Sequence, residues 1–131
     1  MGERKVFRGV LKGGYVLVKD EQGARGFHAK GYGQLNSDRT LSLSPEEATY
    51  LADRGFLRVF GEDGRELTVP EMGGLFSRLD HDFFVRYIVY HDLRSRGRVV
   101  RIAERPFFRL YRHGYEPEEA VSDVFVYPVS G

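Results

Sequence analysis

Twice in this chain a hydroxyl residue is followed three positions later by glutamate, with proline between them: Ser44-Pro45-Glu46-Glu47 and Thr68-Val69-Pro70-Glu71. Each pattern fixes a helix start. The hydroxyl accepts from the backbone N–H three residues on, and the glutamate reaches back to the N–H of the capping residue. Proline costs nothing there, because the first-turn N–H groups have no helical partner. After the first start, Ala48, Leu51 and Ala52 form an apolar face and Gly55 stops the helix. After the second, Met72, Phe76, Leu79, Phe83, Tyr87 and Tyr90 recur at helical spacing up to Gly97. That spacing predicts one helix of about seven turns, weakened at its start by Gly73-Gly74. Phe83, Tyr87 and Tyr90 are expected on its buried face.

Around these helices the period changes to that of strands. Residues 5–18 alternate about Gly13-Gly14, with Val6 and Val10 on one side and Tyr15 and Leu17 on the other, and predict a hairpin. Residues 26–43 predict short strands broken by Gly31, Gly33 and Asn36-Ser37-Asp38. Residues 56–60 predict a strand and 61–64 a turn. Past Gly97, strands are predicted at 98–102, 107–111 and 123–129, with a polar loop at 112–120. The fold class is therefore α+β. A small N-terminal α/β lobe (1–80) precedes a long helix that leads into a small mixed β-sheet lobe (81–131), with the boundary near residues 69–85.

Composition narrows the function classes. The 131 residues include no cysteine, which removes disulfides, thiolate metal sites and cysteine nucleophiles. Twenty basic and nineteen acidic residues give a net charge of +1, so no bulk field points to nucleic acid or membrane. No apolar run is long enough to span a bilayer. Met1-Gly2-Glu3-Arg4-Lys5 lacks the apolar stretch of a secretory signal, so a cytoplasmic protein is expected. Arginine outnumbers lysine 16 to 4, which suits planar recognition of phosphate or carboxylate and equally a compositional bias. Residues 78–113 carry nine arginines against four acids.

Few constellations carry chemistry. His28, His81, His91 and His113 show no metal-ligand spacing, so no metal site and no cofactor are expected. His81 and His91 read as solvated or interface residues. Gly31-x-Gly33 lacks the third glycine of a dinucleotide fingerprint. Nothing marks a serine triad. Glu46-Glu47 and Glu118-Glu119 read as a helix start and a solvated loop.

One segment is more specific: Tyr87-Ile-Val89-Tyr90-His-Asp92-Leu93-Arg94-Ser-Arg96-Gly97, followed by Phe108-Arg109-Leu110-Tyr111. It resembles the archaeal tRNA-splicing endonuclease family. That family's helix ends in Tyr-x-Val-Tyr-x-Asp-Leu-Arg-x-Arg-Gly and precedes a strand ending in Phe-Arg-Val-Tyr. The run from Leu41 to Gly55 is also similar to the family's N-terminal lobe. The resemblance spans about residues 40–129.

The resemblance implies metal-free cleavage of precursor tRNA at a bulge-helix-bulge. A ribose 2′-hydroxyl attacks the adjacent phosphate and leaves a 2′,3′-cyclic phosphate. The family supplies a Tyr, a His and a Lys for this. Tyr111 matches the Tyr. Val121 stands where the His belongs, and no Lys follows Lys30. The site is expected to be degenerate, with Tyr87, Tyr90, Asp92, Leu93, Arg94, Arg96 and Gly97 kept as a fold signature. The chain then resembles the non-catalytic structural subunit, whose partners are a catalytic endonuclease subunit and, through the complex, precursor tRNA. The alternatives are a stand-alone ribonuclease using Tyr111 with His113, and an RNA- or protein-binding adaptor without a splicing role. The last two strands are expected to present an open edge completed by another chain, with Phe125 and Tyr127 at the contact.

Overall fold

The computed structural model describes residues 5–102, 108–111 and 124–126. Gly13 takes φ 62°, the left-handed region open to glycine, and folds β1 (Phe7–Lys12) back on β2 (Tyr15–Val18). The predicted hairpin is present. Its buried face is formed by Val16 and Val18, whereas Val6 is exposed and Tyr15 and Leu17 point to the opposite side.

Next comes α1 (Glu21–Ala29), where the sequence pattern suggests strand at 26–29. Asp20 caps it, accepting from Gly23 N at 2.8 Å. Two glycines, Gly23 and Gly26, hide this helix from propensity arguments. Gly23 serves packing: a Cβ there would lie 2.7 Å from the Phe7 ring, so the helix can approach β1 only without a side chain. The predicted short strands of this region are β3 (Gln34–Leu35) and β4 (Leu41–Leu43).

Both capping boxes form. In α2 (Pro45–Asp53), Ser44 Oγ accepts from Glu47 N at 3.2 Å and Glu47 Oε1 accepts from Ser44 N at 2.9 Å. In α3 (Val69–Leu79), Thr68 and Glu71 exchange the same bonds at 3.2 and 2.8 Å. Between these helices lie β5 (Leu57–Phe60) and β6 (Glu66–Leu67).

The seven-turn helix is in fact two helices. α3 ends at Leu79, and α4 runs Phe83–Ser95. Asp80 breaks the run with extended backbone (φ −149°, ψ 106°). Its carboxylate accepts from Asp82 N at 3.0 Å and also binds Arg86, so a side chain replaces the helical ladder across the turn. The apolar spacing continues through the break because both helices bury one face in the same core, Met72 and Phe76 from α3, Phe83 and Tyr90 from α4. Residue 80, after which the sequence reading places its boundary, lies in this turn, and one buried cluster continues across it.

The first sheet has the order β3-β4-β2-β1-β5-β6. It is mixed, since β1 and β5 are parallel and the other neighbours antiparallel. Val16, Val18, Leu41, Leu43, Leu57 and Val59 line its helix-covered face and pack with Ala24, Phe27, Ala48 and Leu51. Burying each Val or Leu fully stabilises the fold by about 1.5–3 kcal/mol. The second sheet pairs β7 (Val99–Ile102), β8 (Phe108–Tyr111) and β9 (Val124–Val126), antiparallel throughout its described residues. Val100 joins the main buried cluster. No described helix is long and apolar enough to cross a membrane.

Candidate functional site

The signature segment occupies α4 and its exit, where its geometry can be followed atom by atom. Gly97 (φ 84°) ends the helix: Gly97 N donates to Arg94 O at 2.9 Å and Arg98 N to Leu93 O at 3.1 Å. This pair of reversed bonds satisfies the last carbonyls of a helix and turns the chain out. Gly31 ends α1 and Gly55 ends α2 with the same pair of bonds.

Arg94 is the centre of the signature. It is buried, and its fork reaches three carbonyls on two separate stretches of backbone. Nη1 donates to Lys30 O at 3.1 Å, and Nη2 donates to Gly31 O at 2.7 Å and to Val100 O at 3.2 Å. Nε donates to the Tyr90 hydroxyl at 3.2 Å, and the guanidinium lies 3.8 Å above the Tyr32 ring. The carbonyls of Lys30 and Gly31 form the C-terminal end of α1, where the helix dipole favours a cation. One side chain thus joins α1, α4 and β7.

The neighbouring tyrosines are held as phenols. Tyr90 is fully buried, and burial above all pushes its ionisation well above the ordinary range, with Glu47 adding in the same direction. Tyr87 is half-buried, stacked on Phe83 at 5.6 Å, and shifted upward chiefly by burial and then by Asp53. Neither is placed to act as a base near neutral pH. Asp92 and Arg96 form an exposed pair at 3.2 Å, and Asp92 does not engage Arg94. Leu93 packs against the core and Val89 beside it.

A second buried node lies one side of this. Glu46 is fully buried, and its Oε2 accepts from Arg86 Nε at 3.0 Å, while Arg86 also binds Asp80. Glu47 has a double role, because its Oε2 accepts from Gly33 N at 2.8 Å while its Oε1 completes the capping box. Arg101 Nη2 donates to Gly33 O at 2.6 Å. Gly33 (φ 73°) sits so close to Leu41 and Ser42 O that a Cβ would be 2.8 Å from each. The Gly31-x-Gly33 pair is therefore a helix end followed by a close approach.

Glu46 and Arg86 escape sequence reasoning, since an acid and a base forty residues apart carry no local signal. Arg86 sits one residue before Tyr87, at a spacing that continues the buried face of α4, and that placement was the available clue. His28, in the last turn of α1, is held below its ordinary pKa mainly by burial and secondly by Arg101.

Two arrangements resemble catalytic sites without the accompanying machinery. Ser95 Oγ lies 3.4 Å from His91 Nδ1, and His91 Nε2 lies 3.1 Å from Asp53 Oδ2. The amides that would stabilise an oxyanion beside Ser95 are already used, Arg96 N by Asp92 O and Leu93 O, and Gly97 N by Arg94 O. His91 is an interface residue between α2 and α4, edge-on to Tyr50 and Tyr87. Asp80, His81 and Asp82 bring three potential metal donors within 4.8 Å, a cluster that histidine spacing alone did not suggest. Asp80 is already engaged by Arg86 and by Asp82 N, so this turn is a helix connection.

The catalytic positions implied by the resemblance fall at the far end of the chain. Tyr111 is the last residue of β8, and its backbone lies opposite Val99. Phe125 pairs with Arg109 through the backbone of β9. Their side chains, together with His113, Glu118, Glu119, Val121 and Tyr127, lie outside the described residues.

Comparison with known proteins agrees with the signature. Residues 7–72 match the family described as tRNA intron endonuclease, N-terminal domain. The chain is 40% identical over 116 residues to a tRNA-splicing endonuclease of Pyrococcus abyssi, covering 86% of this chain and 67% of that protein. It is 38% identical over 109 residues to a tRNA-splicing endonuclease of Pyrococcus furiosus, covering 81% and 63%. A tRNA-splicing endonuclease of Methanothermobacter thermautotrophicus is 36% identical over 118 residues, covering 88% and 67%. The chain thus spans about two thirds of the length of these curated relatives. The twin capping boxes lie within the matched N-terminal region, and the α4 signature lies beyond it. Together they show that the chain belongs to the tRNA-splicing endonuclease family.

Proposed function

We propose that this chain is the non-catalytic, structural subunit of a heteromeric tRNA-splicing endonuclease, acting in intron removal from precursor tRNA at bulge-helix-bulge motifs. The residue that carries this reading is Val121, which falls where the resemblance implies a histidine. In-line attack by a 2′-hydroxyl needs a group to take its proton and a group to protonate the leaving oxygen. Valine can do neither. Tyr111 keeps the phenol position, but a tyrosine at its ordinary pKa of about 10 is almost wholly protonated at neutral pH. The residues of the α4 signature are occupied by architecture: Arg94 with backbone carbonyls, Tyr90 with Arg94, Gly97 with the helix end. A chain that keeps the scaffold and loses the acid serves best as a support for a subunit that has it.

The test is a cleavage assay on a bulge-helix-bulge RNA, without metal, using the chain alone and co-expressed with a catalytic relative that keeps Tyr, His and Lys. The chain alone should give no cyclic phosphate product above background, and the two should copurify and cleave. Turnover by the isolated chain that is lost in Tyr111→Phe and in His113→Ala would overturn the reading and favour the stand-alone ribonuclease. Failure to copurify with any catalytic relative would favour the adaptor.

A further inference from the structure

The six-stranded sheet has a second face, opposite α1 and α2. Strand alternation and the pairing register assign its residues. Gln34, Ser42, Leu17, Val10, Phe60 and Glu66 lie side by side in one row across all six strands, because each is the cross-strand partner of the next. Arg8 and Arg58 form the next row on one side, and Lys12 and Tyr15 the next on the other. None of these residues is buried, and Tyr15 is 41% exposed. The Arg8 guanidinium lies 3.8 Å over the Phe60 ring, and that of Arg58 lies 5.6 Å from it. Arg58 is paired with Glu66 through two bonds of 3.0 and 2.6 Å.

We propose that this open sheet face binds a single-stranded segment of RNA. The physical basis is a flat platform that joins three features. The Phe60–Arg8 stack and Tyr15 offer planar surfaces on which bases stack, at about 1–3 kcal/mol per base. Arg8, Lys12 and Arg58 outnumber the one carboxylate, Glu66, and complement phosphate. Gln34 and Ser42 add hydrogen-bonding groups at the β3 end of the row. Lys12 beside the central row and Glu66 at its end are residue types depleted at the cores of protein interfaces. The inference does not require the chain to be a structural subunit, so the two readings can fail separately.

The experiment is fluorescence anisotropy of the full chain with a labelled oligouridylate of about ten nucleotides, at several salt concentrations. Arg8→Glu combined with Lys12→Glu should weaken binding by about tenfold or more and lower the slope of log affinity against log salt by about 1.4, since each phosphate contact to a single strand contributes about 0.7. Tyr15→Ser should weaken binding with the slope unchanged. Arg25→Glu combined with Arg39→Glu, on the helix side, should change affinity less than twofold. Each variant is checked by its unfolding midpoint. Unchanged affinity in both the Arg8/Lys12 and the Tyr15 variants would overturn the proposal, as would equal weakening by the Arg25/Arg39 pair, which would mean diffuse charge attraction. Self-association of the chain that is abolished by Tyr15→Ser would assign the face to a second copy instead. If the copurified complex cleaves RNA normally while the face variants bind oligouridylate as wild type does, this inference fails and the subunit reading stands. If the chain joins no endonuclease but binds oligouridylate through Arg8, Lys12 and Tyr15, the reverse holds.

Discussion

Arginines on the two sides of this molecule do opposite work. Where α4 meets α1, α2 and β7, Arg86 and Arg94 are buried and surrounded by fixed acceptors, two carboxylates for one and three carbonyls and a hydroxyl for the other. On the open face of the six-stranded sheet, Arg8 is exposed and lies over the Phe60 ring, beside an exposed Arg58 paired with Glu66. Side-chain chemistry is identical, so the difference comes from what surrounds it. A buried guanidinium whose donors are matched by immobile acceptors holds elements together and has little left to offer a ligand. An exposed one on a ring loses little when a phosphate or base arrives. The abundance of arginine therefore has two sources, and composition cannot separate them.

The largest expected effect comes from breaking the inner side. Arg86→Ala leaves Glu46 as a buried carboxylate without its guanidinium, and should destabilise the protein by about 3–5 kcal/mol in chemical denaturation. The double variant Glu46→Leu with Arg86→Met should cost clearly less than Arg86→Ala alone, because the carboxylate it leaves without Arg86, Asp80, is partly exposed and no fully buried charge is stranded. Arg94→Ala should cost about 2–4 kcal/mol, since the carbonyls of Lys30, Gly31 and Val100 lose their donor together. Arg94→Lys should recover only part of that, because an ammonium cannot reproduce the planar fork.

A smaller effect sharpens the comparison within α4. Tyr90→Phe keeps the packing and removes the hydroxyl that accepts from Arg94, at a cost of about 1 kcal/mol near neutral pH. It should also change the alkaline limb of stability. Burial raises the Tyr90 ionisation in the folded state, so its contribution is complete below the ordinary tyrosine value and declines as pH rises through and above about 10. Denaturation midpoints measured above that pH should fall less steeply in Tyr90→Phe than in wild type. The smallest effect belongs to the signature's exposed pair: Asp92→Ala should move stability by no more than about 0.5 kcal/mol, since the bond to Arg96 is solvated.

How far the sequence could be read follows from the range of the interactions. Ser44 to Glu47 and Thr68 to Glu71 are contacts three residues apart, so both helix starts were legible and both form. Gly55 and Gly97 mark helix ends by a local backbone need, and they too were legible. The α1 helix was not, because Gly23 is chosen for contact with Phe7, sixteen residues away, against its helix propensity. The break at Asp80 was masked by apolar spacing that continues across it. Arg94 was legible as part of a motif, whereas its partners at Lys30 and Gly31, more than sixty residues away, were not. The open sheet face was not legible: the hairpin pattern set Val10 apart from Tyr15 and Leu17, whereas the register pairs Val10 with Leu17 on one face. That Phe60 and Arg58 complete it follows only from the parallel pairing of β1 with β5.

The contrast between the two sides is tested most directly by the unfolding midpoint with and without oligouridylate, compared across wild type, Arg94→Lys and Arg8→Glu. A ligand that binds only the folded state raises the midpoint in proportion to its binding free energy. Arg94→Lys should lower the midpoint without RNA and keep the full upward shift on adding RNA. Arg8→Glu should leave the midpoint without RNA near that of wild type and lose most of the shift. Loss of the RNA-induced shift in Arg94→Lys with its midpoint intact, or a collapse of the midpoint in Arg8→Glu with its shift retained, would contradict the account.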